Sequence, residues 1–368
     1  MKFTCEKDAL IKEISIAQEI ISSKSALSIL SNVLLEADNG ALTIKATDLK
    51  VSFETKIPVD VSVPGSTTVF CDKLLGILRT LPPGDIEFDE KENDILLIKP
   101  LFKKIDFRLK TIGSDKFPEL QIAQEEDYFE FSQKDIIEMI SQTVFAVSDD
   151  ETRYYMNGVY LEKTDDGIVM VATDGRRLSY IAKKPENHVA DFQAVIVPPK
   201  ILNLVRKLAS GEGTISLAVT DKNVFIKFDN QKISSALIEG QFPNYQRVIP
   251  TEQKFQIQVD REALIEALKR VSLLVEQKSR RIYINLTGNS MVLSSEESDI
   301  GIAREETSCN YEGEDAIFAL NYLYFTEPLR VMTDPMIRIQ FTEANKAITL
   351  RSTEEREYFH IVMPMQLE

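Results

Sequence analysis

The chain carries one pattern three times, and that repetition constrains its fold more than any other feature. Ala46-Thr47-Asp48 returns as Ala172-Thr173-Asp174, 126 positions further on. Other landmarks keep the same offset. "EKDALIKEISIAQEI" places Leu10, Ile11, Ile14 and Ala17 on one helical face, and "SQKDIIEMISQTVFAV" repeats this with Ile136, Ile137, Ile140 and Val144. "DREALIEALKRVSLLV" gives a third copy with Leu264, Leu268, Val271 and Val275. Apolar residues at i, i+3/i+4 and i+7 mark amphipathic helices. A second helix is predicted in each copy, at 70–81 ("FCDKLLGILRTL"), 197–208 ("VPPKILNLVRKL") and, more weakly, 317–329 ("IFALNYLYFTEPL"). Pro198 and Pro199 suit a helix start, where a missing N–H costs little. Pro328 is expected to end the third of these helices early.

Short alternating runs such as "GALTIKATD", "KISSALIEG" and "EYFHIVMP" read as antiparallel strands with one buried face. Phe-Pro stands near the ends of the first two copies, at 117–118 and 242–243, but not of the third. A self-similar period of this kind marks a copied unit. The expected fold is α+β: three tandem domains over 1–122, 128–248 and 253–368, each of two helices and several antiparallel strands. An aspartate repeated at a strand end then reads as a turn residue rather than a catalyst, since Asp bonds its own backbone and the following Gly175 accepts φ > 0.

The rest of the sequence offers little chemistry. His188 and His360 are the only histidines, and no His or Cys pair has metal-ligand spacing. "SGEGTISL" holds Gly-x-Gly but runs into a strand-like stretch, so a phosphate cradle fails on context. No G-x-S-x-G elbow occurs. Acidic clusters such as "SDDETR" and "RSTEERE" read as solvated loops. No catalytic residue, metal or cofactor is expected. Cys5, Cys71 and Cys309 are odd in number and far apart, which suits reduced thiols in a cytoplasmic protein. No apolar run reaches the roughly 20 residues of a membrane span, and "MKFTCEKDAL" lacks the apolar core of a signal peptide. The formal charge of −15 argues against tight binding to nucleic acid driven by counterion release.

Three such copies, with "ATDL" at 46–49, "RYYMNGVYLE" at 153–162, "ATDGRRLS" at 172–179, "GQFPNYQRVIP" at 240–250 and "VMPMQL" at 362–367, resemble the bacterial sliding clamps, the beta subunits of DNA polymerase III. The resemblance covers essentially the whole chain. It implies a ring of two chains joined head to tail, with helices lining a hole for duplex DNA and sheets outside. It implies a processivity factor without catalysis, which holds DNA topologically and without regard to sequence. Such a ring needs few bases, placed on its inner helices: Lys7, Lys12, Lys200, Arg206, Lys207, Arg261, Lys269 and Arg270.

By position the resemblance assigns DNA contacts to Lys24, Arg153, Tyr154 and Tyr155, the arginine suiting phosphate and the rings suiting unpaired bases. Asp149 and Asp150 stand where the family often has an uncharged polar residue. The ATDG turn becomes part of a pocket that takes short apolar-and-glutamine peptides of the polymerase, clamp loader and repair proteins. That pocket would use Met156, Thr173, Gly175, Arg176, Leu178, Pro243, Arg247, Val248, Tyr322, Met363, Pro364, Met365 and Leu367. Unbranched Met side chains suit a promiscuous site, and Gly175 lets a ligand backbone approach. Arg176 and Gln366 depart from the commonest family residues. Ring closure is assigned to Phe107 and Leu109 of one chain against Leu273 and Leu274 of the other. A non-replicative scaffold of three repeated domains is the competing function.

Overall fold

The computed structural model describes residues 1–21, 28–91, 94–185 and 189–367; Lys24 and His188 lie outside them. The first repeat runs β1 (Lys2–Glu6), α1 (Lys7–Ile20), β2 (Asn32–Asp38), β3 (Ala41–Thr47), β4 (Val51–Pro58), β5 (Asp60–Val63), β6 (Gly65–Phe70), α2 (Cys71–Thr80), β7 (Asp85–Lys91), β8 (Ile95–Pro100) and β9 (Phe107–Gly113). The second runs β10 (Phe129–Ser132), α3 (Gln133–Thr143), β11 (Val159–Thr164), β12 (Gly167–Thr173), β13 (Arg177–Lys183), β14 (Val195–Val197), α4 (Pro199–Leu208), β15 (Thr214–Val219), β16 (Asn223–Phe228) and β17 (Gln231–Ala236). The third runs β18 (Phe255–Asp260), α5 (Arg261–Val271), β19 (Arg281–Thr287), β20 (Ser290–Ser295), β21 (Arg304–Tyr311), β22 (Ala316–Asn321), α6 (Tyr322–Val331), β23 (Met336–Phe341), β24 (Ile348–Ser352) and β25 (Tyr358–Val362).

Each first helix starts the same way. A short strand ends on a residue whose side chain accepts from the third backbone N–H along: Glu6 from Ala9 (2.7 Å), Ser132 from Asp135 (3.0 Å) and Asp260 from Ala263 (2.7 Å). That bond satisfies one of the free donors of the first turn. The buried faces are Leu10, Ile14 and Ala17; Ile136, Met139 and Ile140; Leu264, Leu268 and Val271. Ile11 and Ile137 lie at the edges of those faces, half-buried; Val275, expected on the third face, stands beyond it, because α5 ends at Val271 and the backbone is extended at Val275. Pro199 stands in the first turn of α4, as the sequence predicts.

The third repeat corrects two expectations. Residues 317–321 are strand, not helix, and α6 begins only at Tyr322, capped by the Asn321 side chain, which accepts from the Leu323 N–H at 3.0 Å. Pro328 does not end α6. The helix continues to Val331, and the Met332 N–H still reaches the Pro328 carbonyl at 3.0 Å. Pro328 is buried inside the helix, which tolerates the loss of the bond that residue's N–H would have made.

By contact the chain divides into two compact units, Met1–Phe131 with Gly213–Leu237, and Ser132–Glu212 with Ile238–Glu368. The second repeat is therefore shared, its last three strands counting with the first repeat. Among the described residues, one sheet runs β10-β15-β16-β17-β4-β3-β2-β6-β9-β8-β7-β1-β5, and the other β14-β11-β12-β13-β25-β24-β23-β18-β21-β20-β19-β22. In the first, β17 pairs antiparallel with β4, Ile233 opposite Phe53. In the second, β25 pairs antiparallel with β13, His360 opposite Ser179. The last strand of one repeat thus joins the third long strand of the repeat before it, twice.

The three cysteines are buried and free. Burial pushes the Cys5 and Cys71 thiols up to about 12, so neither is a ready nucleophile. Among the described residues no helix is long and apolar enough to cross a membrane.

Candidate functional site

The two Ala-Thr-Asp segments build the same turn. Asp174 Oδ1 accepts from the N–H groups of Arg176 (2.8 Å) and Arg177 (3.0 Å), while the Thr173 hydroxyl donates to the Arg177 carbonyl and accepts from the Gly175 N–H. Asp48 accepts from Lys50 (2.9 Å) and Val51 (2.7 Å), and Thr47 donates to the Val51 carbonyl and accepts from Leu49. Both aspartates hold strand corners, as the sequence predicts. Each turn needs one residue at positive φ: Gly175 at +87° and Leu49 at +75°. Only the glycine turn keeps its surface free of a side chain.

The end of β25 is tied to that turn. The Met363 N–H donates to the Arg176 carbonyl at 2.8 Å, and the Met365 N–H to the Ala319 carbonyl at 2.7 Å, three residues before Tyr322. These bonds bring Met363 beside the Gly175 turn and Met365 onto the end of β22, the strand that leads into Tyr322. Val248, Met363 and Leu367 are exposed, as are Arg176 and Arg247; Tyr322, Pro243, Pro364 and Met365 are half-buried. Met156, Thr173 and Leu178 are buried. Leu178 sits in a cluster with Val171, Phe242, Tyr245, Phe359 and Ile361, which backs the turn. The Tyr245 hydroxyl donates to Glu162 at 2.9 Å, and rings stack in pairs, Tyr160 on Phe242 (4.8 Å) and Tyr180 on Phe359 (4.7 Å). Burial and the neighbouring Glu162 carboxylate push the Tyr245 hydroxyl above its usual range, so it stays a donor.

Arg177 carries more of this corner than the sequence suggested. Its guanidinium donates to Asp174 Oδ2 (3.0 Å), to the Phe145 carbonyl (2.6 Å) and to Glu327 of α6, and lies 4.7 Å from the Tyr324 ring centre. Strand alternation was the available signal: with Leu178 on one face of β13, Arg177 and Ser179 must occupy the other.

Of the expected DNA contacts, Tyr154 is about half exposed and meets Tyr155 edge-on at 5.8 Å. Asp150 caps the short helical turn Glu151–Met156 through the Thr152 N–H and accepts from Arg153 Nε at 2.9 Å. These hydrogen bonds, from Thr152 first and then Arg153, hold the Asp150 carboxyl below its ordinary range. A Cβ placed on Gly175 would come within 3.0 Å of an Arg153 terminal nitrogen, so Arg153 leans over the Gly175 turn.

Two expected DNA-facing bases are corrected. Lys7 Nζ donates to the Leu81 carbonyl (3.2 Å), and Arg261 donates to the carbonyls of Asp334 and Leu329 (3.0 and 3.1 Å). Both are mostly buried and tie backbone rather than face solvent. Arg270 pairs with Glu305 and Glu266. Lys12, Lys200, Arg206, Lys207 and Lys269 remain exposed. Phe107 and Leu109 are half-buried on β9; Leu273 is exposed and Leu274 half-buried just after α5.

Three copies of one α+β unit, joined strand to strand and carrying an open glycine turn among exposed apolar side chains, make a binding protein of the DNA-clamp class. The N-terminal, central and C-terminal domain models of the DNA polymerase III beta subunit match residues 1–121, 130–244 and 246–366. The beta sliding clamp of Treponema pallidum is 49% identical over the full length of both chains, and that of Pseudomonas putida 30%. Among solved structures, a Bacillus subtilis sliding clamp matches with TM-score 0.95 at 25% identity, and a Pseudomonas aeruginosa clamp bound to griselimycin with TM-score 0.94 at 29%, each over the whole of both chains. The chain belongs to the DNA polymerase III beta subunit family, the beta sliding clamps. Its function is that of a sliding clamp, a non-catalytic processivity factor, and not that of an unrelated scaffold.

Proposed function

We propose that two copies of this chain close head to tail around duplex DNA, and that the Gly175–Met363 groove tethers the replicative polymerase. Clamp-loader and repair proteins would use the same groove through short peptide motifs, one partner at a time. The reading assigns the three domains to 1–122, 128–248 and 253–368.

The strand pairing supports the ring. Twice within the chain the last strand of one repeat pairs with the third long strand of the preceding one. Among the described residues, besides the terminal strands of the two sheets, two inner strands are paired along only part of one side. Phe107–Lys110 of β9 pairs on one side only, with β8, and Arg304–Ser308 of β21 pairs on one side only, with β20. A third seam of the same kind joins β9 of one copy to β21 of the other, and two such seams close a six-domain ring. The register follows from the repeat. Phe107 lies across from Ile98 as Ile233 does from Ile226 and His360 from Leu350. Ala303 bonds across to Ser295 as Phe53 faces Ala46 and Ser179 faces Ala172. Phe107 is then opposite Ala303, and Leu109 opposite Gly301, beside which lies Leu274 (3.7 Å from a Cβ placed there). The flanking charges are complementary: Lys103, Lys104, Arg108 and Lys110 against Glu296, Glu297, Asp299 and Glu306.

Exposed bases on α1, α4 and α5, with Arg153, Tyr154 and Tyr155, are the candidates for DNA contact. A topological ring needs little affinity, which reconciles them with the chain's acidity. The deciding experiment is loading onto nicked circular DNA followed by linearisation. Retention on the circle and release from the cut molecule are expected; retention after cutting, or none before it, refutes the ring.

A further inference from the structure

In the middle of the sheet of the second unit, two arginines stand directly opposite each other. Arg338 of β23 is paired in register with Arg351 of β24. Like charges placed so are destabilising unless something answers them. Among the described residues neither guanidinium has a carboxylate within ion-pair distance. Arg338 donates to the Ser352 and Thr353 carbonyls (3.3 and 2.7 Å), while its Nε is buried with no acceptor. Burial, and then the Arg338 charge, lower the affinity of Arg351 for its proton. Its guanidinium lies 4.4 Å from the centre of the Phe359 ring. Both arginines line an open cleft of about 660 Å³, rimmed by Glu354, Glu355 and Glu357. Two of these rim acids are engaged: Glu354 with Arg356 (2.9 Å) and Glu357 with Lys183 (3.6 Å).

Among the described residues Arg338 Nη1 makes no hydrogen bond and Arg351 meets no carboxylate, so the two guanidinium groups together can take one anion from the cleft. We propose that the Arg338–Arg351 pair receives a carboxylate, the Asp or Glu side chain of a partner segment whose apolar anchor occupies the Gly175–Met363 groove. This rests on the groove reading above. Phe359, under Arg351, belongs to the same cluster as Leu178 and Tyr245, so the pair flanks the apolar site. Planar guanidinium groups suit a two-oxygen acceptor. The glutamate rim favours a singly charged carboxylate over a phosphate dianion.

The test uses the full-length protein and a fluorescein-labelled peptide rich in glutamine and leucine. It is compared with the same peptide carrying two glutamates, through a short glycine–serine spacer, at either end. One extended form is expected to bind the wild type roughly three- to tenfold more tightly. That gain is expected to vanish in the R338Q/R351Q double variant, which should bind the unextended peptide like wild type. No gain with either extension, or a gain that survives in the double variant, overturns the proposal. A second measurement does not depend on the groove: NMR of the arginine Nε–H groups titrated with acetate or inorganic phosphate. A saturable shift of Arg338 Nε with acetate supports the assignment; no shift, or a stronger response to phosphate, refutes it. If the unextended peptide fails to bind wild type, the groove reading falls, and the acetate titration still decides the arginine pair. Melting temperature checks the variant's fold. Relief of like-charge repulsion predicts a value at or above wild type.

Discussion

The two strand seams within the chain share a backbone and little else. At the second seam the outward residues are Leu178 and Tyr180 against Ile361 and Phe359, and the linker that follows lays Phe242 and Tyr245 over them. At the first seam the same positions are Ser52 and Glu54 against Ser234 and Lys232. Its linker has Leu120 three residues after Phe117, where the other has Tyr245 three after Phe242. A cavity of about 170 Å³ lined by Ser52, Leu120, Ile122, Phe225 and Ser234 remains there, and Ile122 is almost fully exposed. Charge replaces aromatic packing: Lys232 to Glu54 (3.0 Å), Lys45 to Glu36 (2.8 Å), and Lys227 to Glu125 (2.6 Å) above the Tyr128 ring. Backbone pairing alone therefore sets the seam. The side chains over it are free to specialise, and only the second seam joins a rigid aromatic floor to an open glycine turn.

From that contrast, the largest response is expected at Tyr245. Tyr245→Ala empties the centre of the cluster and strands Glu162, with an expected loss of ~3–5 kcal/mol, the usual range for a buried aromatic. Leu120→Ala, at the matching place, removes a half-buried side chain beside an existing cavity and is expected to cost under ~1.5 kcal/mol. Scanning calorimetry of both variants would break the comparison if their losses were equal.

The seam between copies comes next. Leu273→Ala with Leu274→Ala removes apolar contact from the proposed β9–β21 junction, where a loss of ~3 kcal/mol would weaken dimerisation more than a hundredfold. Leu273 is 79% exposed in the single chain, so the fold itself should be little affected. Sedimentation at low micromolar concentration is the check, and a double variant that remains dimeric refutes the assignment.

The turns themselves give a smaller but sharper contrast. Gly175→Val puts a β-branched residue at φ +87° and drives its Cβ towards Arg153, whereas Leu49→Val changes a turn that already carries a side chain. Gly175→Val and Met363→Ala are each expected to weaken a polymerase-derived peptide at least tenfold, about 1.4 kcal/mol. Leu49→Val should leave peptide affinity unchanged. Fluorescence anisotropy decides; wild-type affinity in both Gly175→Val and Met363→Ala would place the site elsewhere.

How far the sequence revealed this depends on the kind of signal. The repeat, the helix faces, the proline-marked start of α4 and the Asx turns are local and periodic, so they were legible. "IFALNYLYFTEPL" was not, because a mostly apolar stretch fits strand and helix alike; Asn321, a good helix cap, was the overlooked marker. Lys7 and Arg261 were misjudged, and Arg177 went unread, because charged side chains on an element are expected to face water. Here they answer backbone carbonyls that only the tertiary fold brings near. The matching of β17 with β4 and of β25 with β13 is long-range and leaves no local trace. Tyr245 looked like one aromatic among several in a linker, and its place over the second seam became visible only with that pairing.

The smallest effect concerns pH and separates the seams once more. His360 is fully buried in the second seam, between the Ser179 hydroxyl at Nδ1 and the Gln142 amide oxygen at Nε2, both 3.0 Å away. The Gln142 amide nitrogen donates to the Val331 carbonyl, so its oxygen is an acceptor; Nε2 must carry the proton, and Nδ1 accepts from Ser179. No neighbour welcomes a second proton, and burial drives the pKa down from 6.5 to about 3. In the unfolded chain the group titrates normally. Between about pH 6.5 and 3 the unfolded state therefore binds the extra proton, and stability falls as pH falls. The first seam has Ile233 and Phe53 at the matching positions and no such term. From pH 7 to 5.5 the expected loss is about 1 kcal/mol, before most carboxylates begin to protonate. Asp334, whose carboxyl is held low chiefly by Arg356, contributes its own loss only at more acidic pH. His360→Gln keeps a donor and an acceptor in the seam but cannot titrate. Calorimetric stability of that variant should lose the slope between pH 7 and 5.5 that wild type shows, and identical slopes in the two proteins would mean that His360 does not carry it.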